Sequence, residues 1–190
     1  MPRRLVAILA ADVVGYSSLM EQDERGTLDR LLAFRKAVFD PMITEHSGRI
    51  VKLMGDGALV EFSSVTDAVT CAIAIQTRIA SDENETLRLR IGVNLGDVIA
   101  EGGDIYGEGV NIAARLEAAA EPGGICISDI APQGVGQRIQ AVFNDGGTHH
   151  LKNIDQPIRL FHWAADEQHR NTDVSRVLTR TDIPGIAVLA

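Results

Sequence analysis

Ile50-Val51-Lys52-Leu53-Met54-Gly55-Asp56-Gly57-Ala58-Leu59-Val60-Glu61-Phe62 sets two short apolar runs on either side of a Gly-Asp-Gly tip. Asp-Gly between two strand-like runs is a strong short-range hairpin signal. Before it, Arg4 to Val14 is short, rich in Val, Ile and Leu, and closed by Gly15, which reads as a buried strand. Between strand and hairpin, Asp23 to His46 takes on helical spacing, with Leu28, Leu31, Leu32, Ala33 and Val38 on a repeating face and Ser47-Gly48 as its end. After the hairpin, Val65 to Ile79 reads as a second helix, capped by Ser64 with Asp67 in its first turn. Leu87 to Ala100 alternates Leu87, Leu89, Ile91 and Val93 as a strand does. Strand, helix, hairpin, helix and strand in this order predict an α+β protein with a ferredoxin-like βαββαβ core.

Additions follow that core. Glu101-Gly102-Gly103-Asp104 breaks the regularity, and a third helix is expected from about Gly107 to Ala120, ending at Glu121-Pro122-Gly123-Gly124. Short strands are expected at Ile125 to Ile127, Ile139 to Phe143 and Ile158 to Trp163. Residues 1–164 therefore read as one domain. Residues 165–190 turn polar and charged, reading as a linker to a downstream domain, and Ile186 to Leu189 turn apolar again.

The chain has 190 residues, 45% of them hydrophobic, enough for a sizeable core. Its formal charge of −8, from 26 acidic against 18 basic side chains, argues against nucleic acid or an anionic membrane as partner. A nucleotide substrate stays compatible, because a few basic groups or a bound metal can reverse the sign locally. Cys71 and Cys126 both lie in apolar stretches without zinc-site spacing, so buried free thiols in a reducing cytoplasm are expected. Arg3-Arg4 before Leu5 to Ala11 faintly resembles a signal peptide, but Asp12 interrupts the apolar run. No apolar run approaches the ~20 residues that span a bilayer.

Two aspartates stand out by position. Asp12 lies at the end of the first strand and Asp56 at the hairpin tip, so pairing of hairpin and strand would bring both carboxylates to one end of the sheet. Carboxylates with water suit Mg²⁺ or Mn²⁺, the ions of phosphoryl transfer. The plain alternative makes Asp56 the polar half of a turn; Asp12 is harder to dismiss, since an unpaired carboxylate in an apolar strand is costly. Asn111 and Arg115 share a face of the third helix, where a guanidinium can grip phosphate and an amide can orient a ribose, or where both are simply solvated. Lys52 and Asp104 form a donor and an acceptor that complement adenine N1 and its exocyclic amine, and oppose guanine, if they face one base. Taken singly, each is also an ordinary strand or loop charge.

Ala11-Asp12-Val13-Val14-Gly15-Tyr16-Ser17, Lys52-Leu53-Met54-Gly55-Asp56-Gly57 and Asp104-Ile105-Tyr106-Gly107-Glu108-Gly109-Val110-Asn111-Ile112-Ala113-Ala114-Arg115 stand in the order and spacing of one family. Over residues 3 to 163 the chain resembles a class III adenylyl/guanylyl cyclase catalytic domain. The resemblance implies that Asp12 and Asp56 hold two divalent cations, Mg²⁺ or Mn²⁺, and that Lys52 and Asp104 read the adenine of ATP. It assigns the ribose to Asn111, charge on the α-phosphate to Arg115, and triphosphate contacts to Lys152 and the backbone of Val13, Val14, Gly15 and Tyr16. Asn153-Ile154 after Lys152 replaces the family's frequent Gly-Lys-Gly, and Tyr16-Ser17 its more usual Phe-Thr. It also implies a symmetric homodimer with each site shared between subunits, producing cyclic AMP in the cytoplasm. A guanylyl cyclase, a nucleotide-binding module without catalysis, and a polymerase-like phosphoryl-transfer enzyme are the competing readings.

Overall fold

The computed structural model describes residues 3–83, 87–129 and 143–165. Strand β1 (Arg3–Val13) is followed by helices α1 (Tyr16–Gln22) and α2 (Glu24–Phe34), a π-helical segment (Arg35–Phe39) and α3 (Asp40–Glu45). Strands β2 (Arg49–Met54) and β3 (Gly57–Phe62), helix α4 (Val65–Ala80) and strand β4 (Leu89–Glu101) complete the core. Then come β5 (Asp104–Tyr106), α5 (Glu108–Ala119), β6 (Gly124–Ser128), β7 (Asn144–His149) and β8 (Ile158–Ala164).

The strands form one sheet in the order β2-β3-β1-β4-β6-β8-β7, with β5 attached to β4. The first four strands are mutually antiparallel in the order 2-3-1-4, which is the expected ferredoxin-like core. Alternation along β1 feeds two cores. Ala7, Leu9, Ala11 and Val13 pack with Phe34, Phe39 and Ile43 and with Val69, Ala72 and Ile75 of α4. Val6, Ile8 and Ala10 face the other way, toward Ile105 and Ala113 of α5. The sheet thus has helices on both faces, and every even-numbered residue of β1, Asp12 included, looks toward the α5 side.

Four local differences from the sequence reading have physical causes. A short helix, α1, precedes the expected one, and Asp23 separates the two as N-cap of α2, its carboxylate accepting from the Gly26 N–H at 2.9 Å. The π-helical turn keeps Phe34 and Phe39, five residues apart, both buried with ring centroids 6.3 Å apart. A regular α-helix would send them to different faces. The Glu101–Asp104 break is a second hairpin: Glu101 pairs with Asp104 around Gly102 (φ 60°) and Gly103 (φ 86°), the left-handed pair that a two-residue turn demands. Strand β7 lies where Asn-Asp-Gly-Gly carries little strand propensity and owes its conformation to pairing with β8. The expected strand at Ile139 to Phe143 and the tail beyond 165 lie outside the described residues.

Both cysteines are fully buried and free, and burial pushes each thiol up to about 12. The thiolate is the nucleophile, so iodoacetamide at pH 8 should label the native chain roughly a thousandfold more slowly than an exposed cysteine. Unfolding in denaturant should release two equivalents; rapid labelling of the native chain would contradict this packing. Among the described residues no helix is long and apolar enough to cross a membrane.

Candidate functional site

The end of β1 places Asp12 opposite Arg90 of β4. The Arg90 Nε and Nη2 donate to the two Asp12 carboxylate oxygens, each at 3.4 Å, and Arg90 lies 3.9 Å from Glu117 of α5. Asp12 is therefore paired, which removes most of the cost of an isolated carboxylate in a strand. Glu117 has a carboxyl pushed up to about 8, first by burial, then by a hydrogen bond and the charge of Asp12, with Asp56 adding repulsion and Arg90 opposing it. That repulsion places Asp12, Asp56 and Glu117 in one electrostatic neighbourhood. Met54 pairs with Gly57, so Gly55 and Asp56 are the two loop residues and Asp56 sits at the tip, half-buried. Arg90 and Glu117 escaped the sequence reading. A signal existed, since a polar residue in a strand covered on both faces needs a partner.

The second group forms where β2 meets the β4–β5 turn. Lys52 Nζ donates to Asp104 Oδ2 at 2.8 Å and lies 5.5 Å from the centre of the Tyr106 ring. The Asp104 Oδ1 accepts from the Ile105 N–H at 2.7 Å. The lysine's hydrogen bond leads the effects that hold the Asp104 carboxyl below its ordinary range, with the Ile105 N–H and Tyr106 adding to it. Both side chains remain partly exposed, so a planar group can reach them together.

On α5, Arg115 is half-buried and its Nε donates to the backbone carbonyl of Lys152 at 3.2 Å, which joins two residues named for phosphate contacts. Asn111 is exposed one turn earlier. Of the backbone segment, Val13 is paired opposite Leu89, and the Val14 N–H donates to the Arg88 carbonyl at 2.8 Å. Gly15, with φ 67°, starts α1, and Tyr16 packs its ring on the α4-side core. Among the described residues no hydrogen bond or ion pair joins Lys52 or Asp104 to Asp12 or Asp56.

No three His, Cys, Asp or Glu side chains among the described residues form a ready ligand cage. Asp12 and Asp56 still suit Mg²⁺ or Mn²⁺: the donors are all carboxylate oxygen, and Mg²⁺ keeps most of its waters and takes one or two carboxylates plus substrate phosphate. The charge crowding that raises Glu117 is the local negative potential such an ion would relieve.

Comparison with known proteins identifies the family. The family model of the adenylate and guanylate cyclase catalytic domain matches residues 2–161. The putative adenylate cyclase 3 of Rhizobium meliloti is 47% identical over 173 residues, covering 88% of this chain and 30% of that protein. An adenylate cyclase of Streptomyces coelicolor is 31% identical over 120 residues, covering 63% of this chain and 31% of that protein. Among solved structures, an adenylate/guanylate cyclase/hydrolase from Silicibacter pomeroyi superposes with a TM-score of 0.78 at 45% identity, covering 87% of this chain and 99% of that one. The fold and these similarities define a nucleotide-cyclase catalytic domain. The chain belongs to the adenylate and guanylate cyclase catalytic domain family, the class III cyclases. It spans about a third of the length of these curated relatives.

Proposed function

We propose that the chain is an adenylate cyclase that converts ATP to 3′,5′-cyclic AMP and pyrophosphate. The observation that carries this reading is the Lys52–Asp104 pair, a donor and an acceptor held 2.8 Å apart on a partly exposed surface. Adenine offers an acceptor at N1 beside a donor amine, and guanine reverses that pattern, leaving like groups opposed. The name of the Rhizobium meliloti relative points the same way.

In the reaction the ribose 3′-oxygen bonds to the α-phosphorus as the bond from that phosphorus to pyrophosphate breaks, and the hydroxyl proton is released. Two divalent cations, Mg²⁺ or Mn²⁺, would supply Lewis-acid activation of the 3′-hydroxyl and neutralisation of the leaving group. Asp12 and Asp56 would hold them, with Arg90 and Glu117 orienting Asp12. Asn111 orients the ribose, and Arg115, steadied by the Lys152 carbonyl, meets the charge that builds on the α-phosphate. The Lys152 ammonium and the backbone of Gly15 and Tyr16 would take the triphosphate, while Val13 is paired opposite Leu89 and the Val14 N–H serves the Arg88 carbonyl.

Each site draws on two copies of the chain. Lys52 and Asp56 are four residues apart along one hairpin, ~13 Å if fully extended, so the base-reading end and the carboxylate end need not serve one pocket. A symmetric homodimer places the metal-binding end of one copy against the base, ribose and phosphate groups of the other, twice.

Product analysis tests the reaction. The purified chain incubated with ATP or GTP, and with Mg²⁺ or Mn²⁺, should form cyclic AMP from ATP and much less cyclic GMP from GTP. Equal turnover of GTP would overturn the base assignment. Tight ATP binding by a confirmed dimer with no cyclic product would make the domain a binding module.

A further inference from the structure

Strand β2 does more than carry Lys52. Arg49 and Lys52 are three residues apart, and in a regular strand they would point to opposite faces of the sheet. They do not, because the register shifts between them: Ile50 pairs with Val60 and Lys52 with Leu59, leaving Val51 as an extra residue. This bulge turns both basic side chains toward the β4–β5 turn. Arg49 Nη1 donates to the Gly103 carbonyl at 2.9 Å while Lys52 takes the Asp104 carboxylate.

Arg49 is itself held. Its Nε donates to Glu61 Oε1 at 2.8 Å, and Arg4 from β1 donates to the other oxygen, Glu61 Oε2, at 2.6 Å. Burial would raise the Glu61 carboxyl, but the bonds from the two arginines outweigh it and keep it below its ordinary range. The hairpin that Arg49 grips is anchored behind by Ile105, buried in the α5-side core, but its tip at Gly102 and Gly103 is exposed. Strand β5 has three residues, among the described residues pairs with β4 alone, and follows two glycines in left-handed conformation.

We propose that Arg49, anchored by Glu61, is a positioning residue for base selection, holding the Gly103 carbonyl so that Asp104 stays opposite Lys52. The proposal rests on the reading of Lys52 and Asp104 as the base-facing pair. Arg49 touches no substrate; it sets the fraction of molecules in which the acceptor is in place. A binding-competent fraction of one in ten weakens apparent affinity about tenfold. Only adenine needs that acceptor, so affinity for ATP falls and affinity for GTP does not.

Rates with ATP and GTP, and competition of each for a fluorescent nucleotide, are measured on the wild-type chain, Arg49→Ala, Arg49→Lys and Glu61→Gln. Arg49→Ala should raise KM for ATP about tenfold with kcat within about twofold, and lower the ATP-over-GTP preference by about the same tenfold factor. Arg49→Lys should fall in between, because one ammonium cannot span both Glu61 and Gly103 in the fork geometry of a guanidinium. Glu61→Gln should shift the preference the same way by less. Arg49 is half exposed, so thermal stability should barely move, which separates positioning from a general structural role. If the wild type prefers ATP and folded Arg49→Ala keeps the same preference, the inference about Arg49 is overturned and the base assignment survives. If the wild type shows no preference for ATP in either assay, the base-facing pair itself is misassigned and this inference goes with it.

Discussion

Gly92→Ala should silence the domain and cost it about 3 kcal/mol or more, at the severe end of overpacking. A Cβ at Gly92 would lie 2.2 Å from the Glu117 backbone nitrogen, 2.4 Å from the Ala113 carbonyl oxygen and 2.8 Å from the Glu117 Cα. All three atoms belong to the backbone of α5, so no side chain can swing aside; the helix itself must move. Gly92 lies in β4 two residues past Arg90, and α5 carries Asn111, Arg115 and Glu117. Moving α5 off the sheet therefore breaks the Arg90–Glu117 approach and shifts Asn111 and Arg115 together. Melting should fall by roughly 10 °C for a chain of this size. Gly96→Ala is the graded control. Its Cβ would meet the Gly109 Cα at 2.9 Å and the Asn94 Nδ2 at 3.1 Å, a smaller intrusion than at Gly92, although Asn94 is buried and bonded to Gly109 and Ser128. A milder loss, about 1 kcal/mol, is expected there. Near-normal melting and activity of Gly92→Ala, measured by calorimetry and product formation, would mean that α5 does not sit this close.

Local chemistry and long-range register divide what could be read from the chain alone. The β2–β3 hairpin and the capped helix α4 were legible because their signals lie within a few residues: a Gly-Asp-Gly tip, a Ser64 cap, a strand alternation. Lys52 and Asp104 could be matched across 52 positions because their donor and acceptor chemistry complements one base, and the structure brings them into contact. The partner of Arg90 was hidden for the opposite reason. It depends on the antiparallel register of β1 against β4, 78 residues away, and periodicity carries no register between distant strands. Gly92 inside β4 was a neglected signal, since a glycine in a strand interior often marks close backbone approach. The bulge at Val51 leaves no trace in composition at all. Reading β2 as a regular run puts Arg49 on the wrong face and hides its grip on Gly103. Helix α1, seven residues with none buried, is too short to show a periodic apolar face, and the Asp23 cap on Gly26 marks where the longer helix begins.

Mixing Asp56→Ala with Arg115→Ala should restore cyclic AMP formation that neither variant has alone. Each substitution by itself should lower activity on the order of a thousandfold, because on the proposed reading one removes a cation ligand and the other the guanidinium that meets the α-phosphate charge. The two residues belong to different groups of side chains: Asp56 at the hairpin tip near Asp12, Arg115 on α5 against the Lys152 carbonyl. If one site takes Asp56 from one copy and Arg115 from the other, a mixed dimer has one intact site and one doubly defective site. Random exchange makes half the dimers mixed, so the mixture should recover roughly a quarter of wild-type activity. That lies a few hundredfold above either variant alone, far outside the scatter of an assay. Differently tagged copies recovered together show that mixed dimers have formed. Mixed dimers that stay at the level of the single variants would place Asp56 and Arg115 of one chain in the same pocket, and the shared site would be wrong. The same mixture made with Gly92→Ala in place of Arg115→Ala separates folding from catalysis. If α5 is displaced rather than merely disarmed, the Gly92→Ala chain cannot supply the phosphate groups, but the Asp56→Ala chain still can. Its intact α5 would then face Asp12 and Asp56 of the Gly92→Ala partner, where Arg90 still holds Asp12 although Glu117 has moved away. Recovery in that mixture requires the Gly92→Ala chain to fold and dimerise, so it reads directly whether the damage stays within α5 or spreads through the sheet.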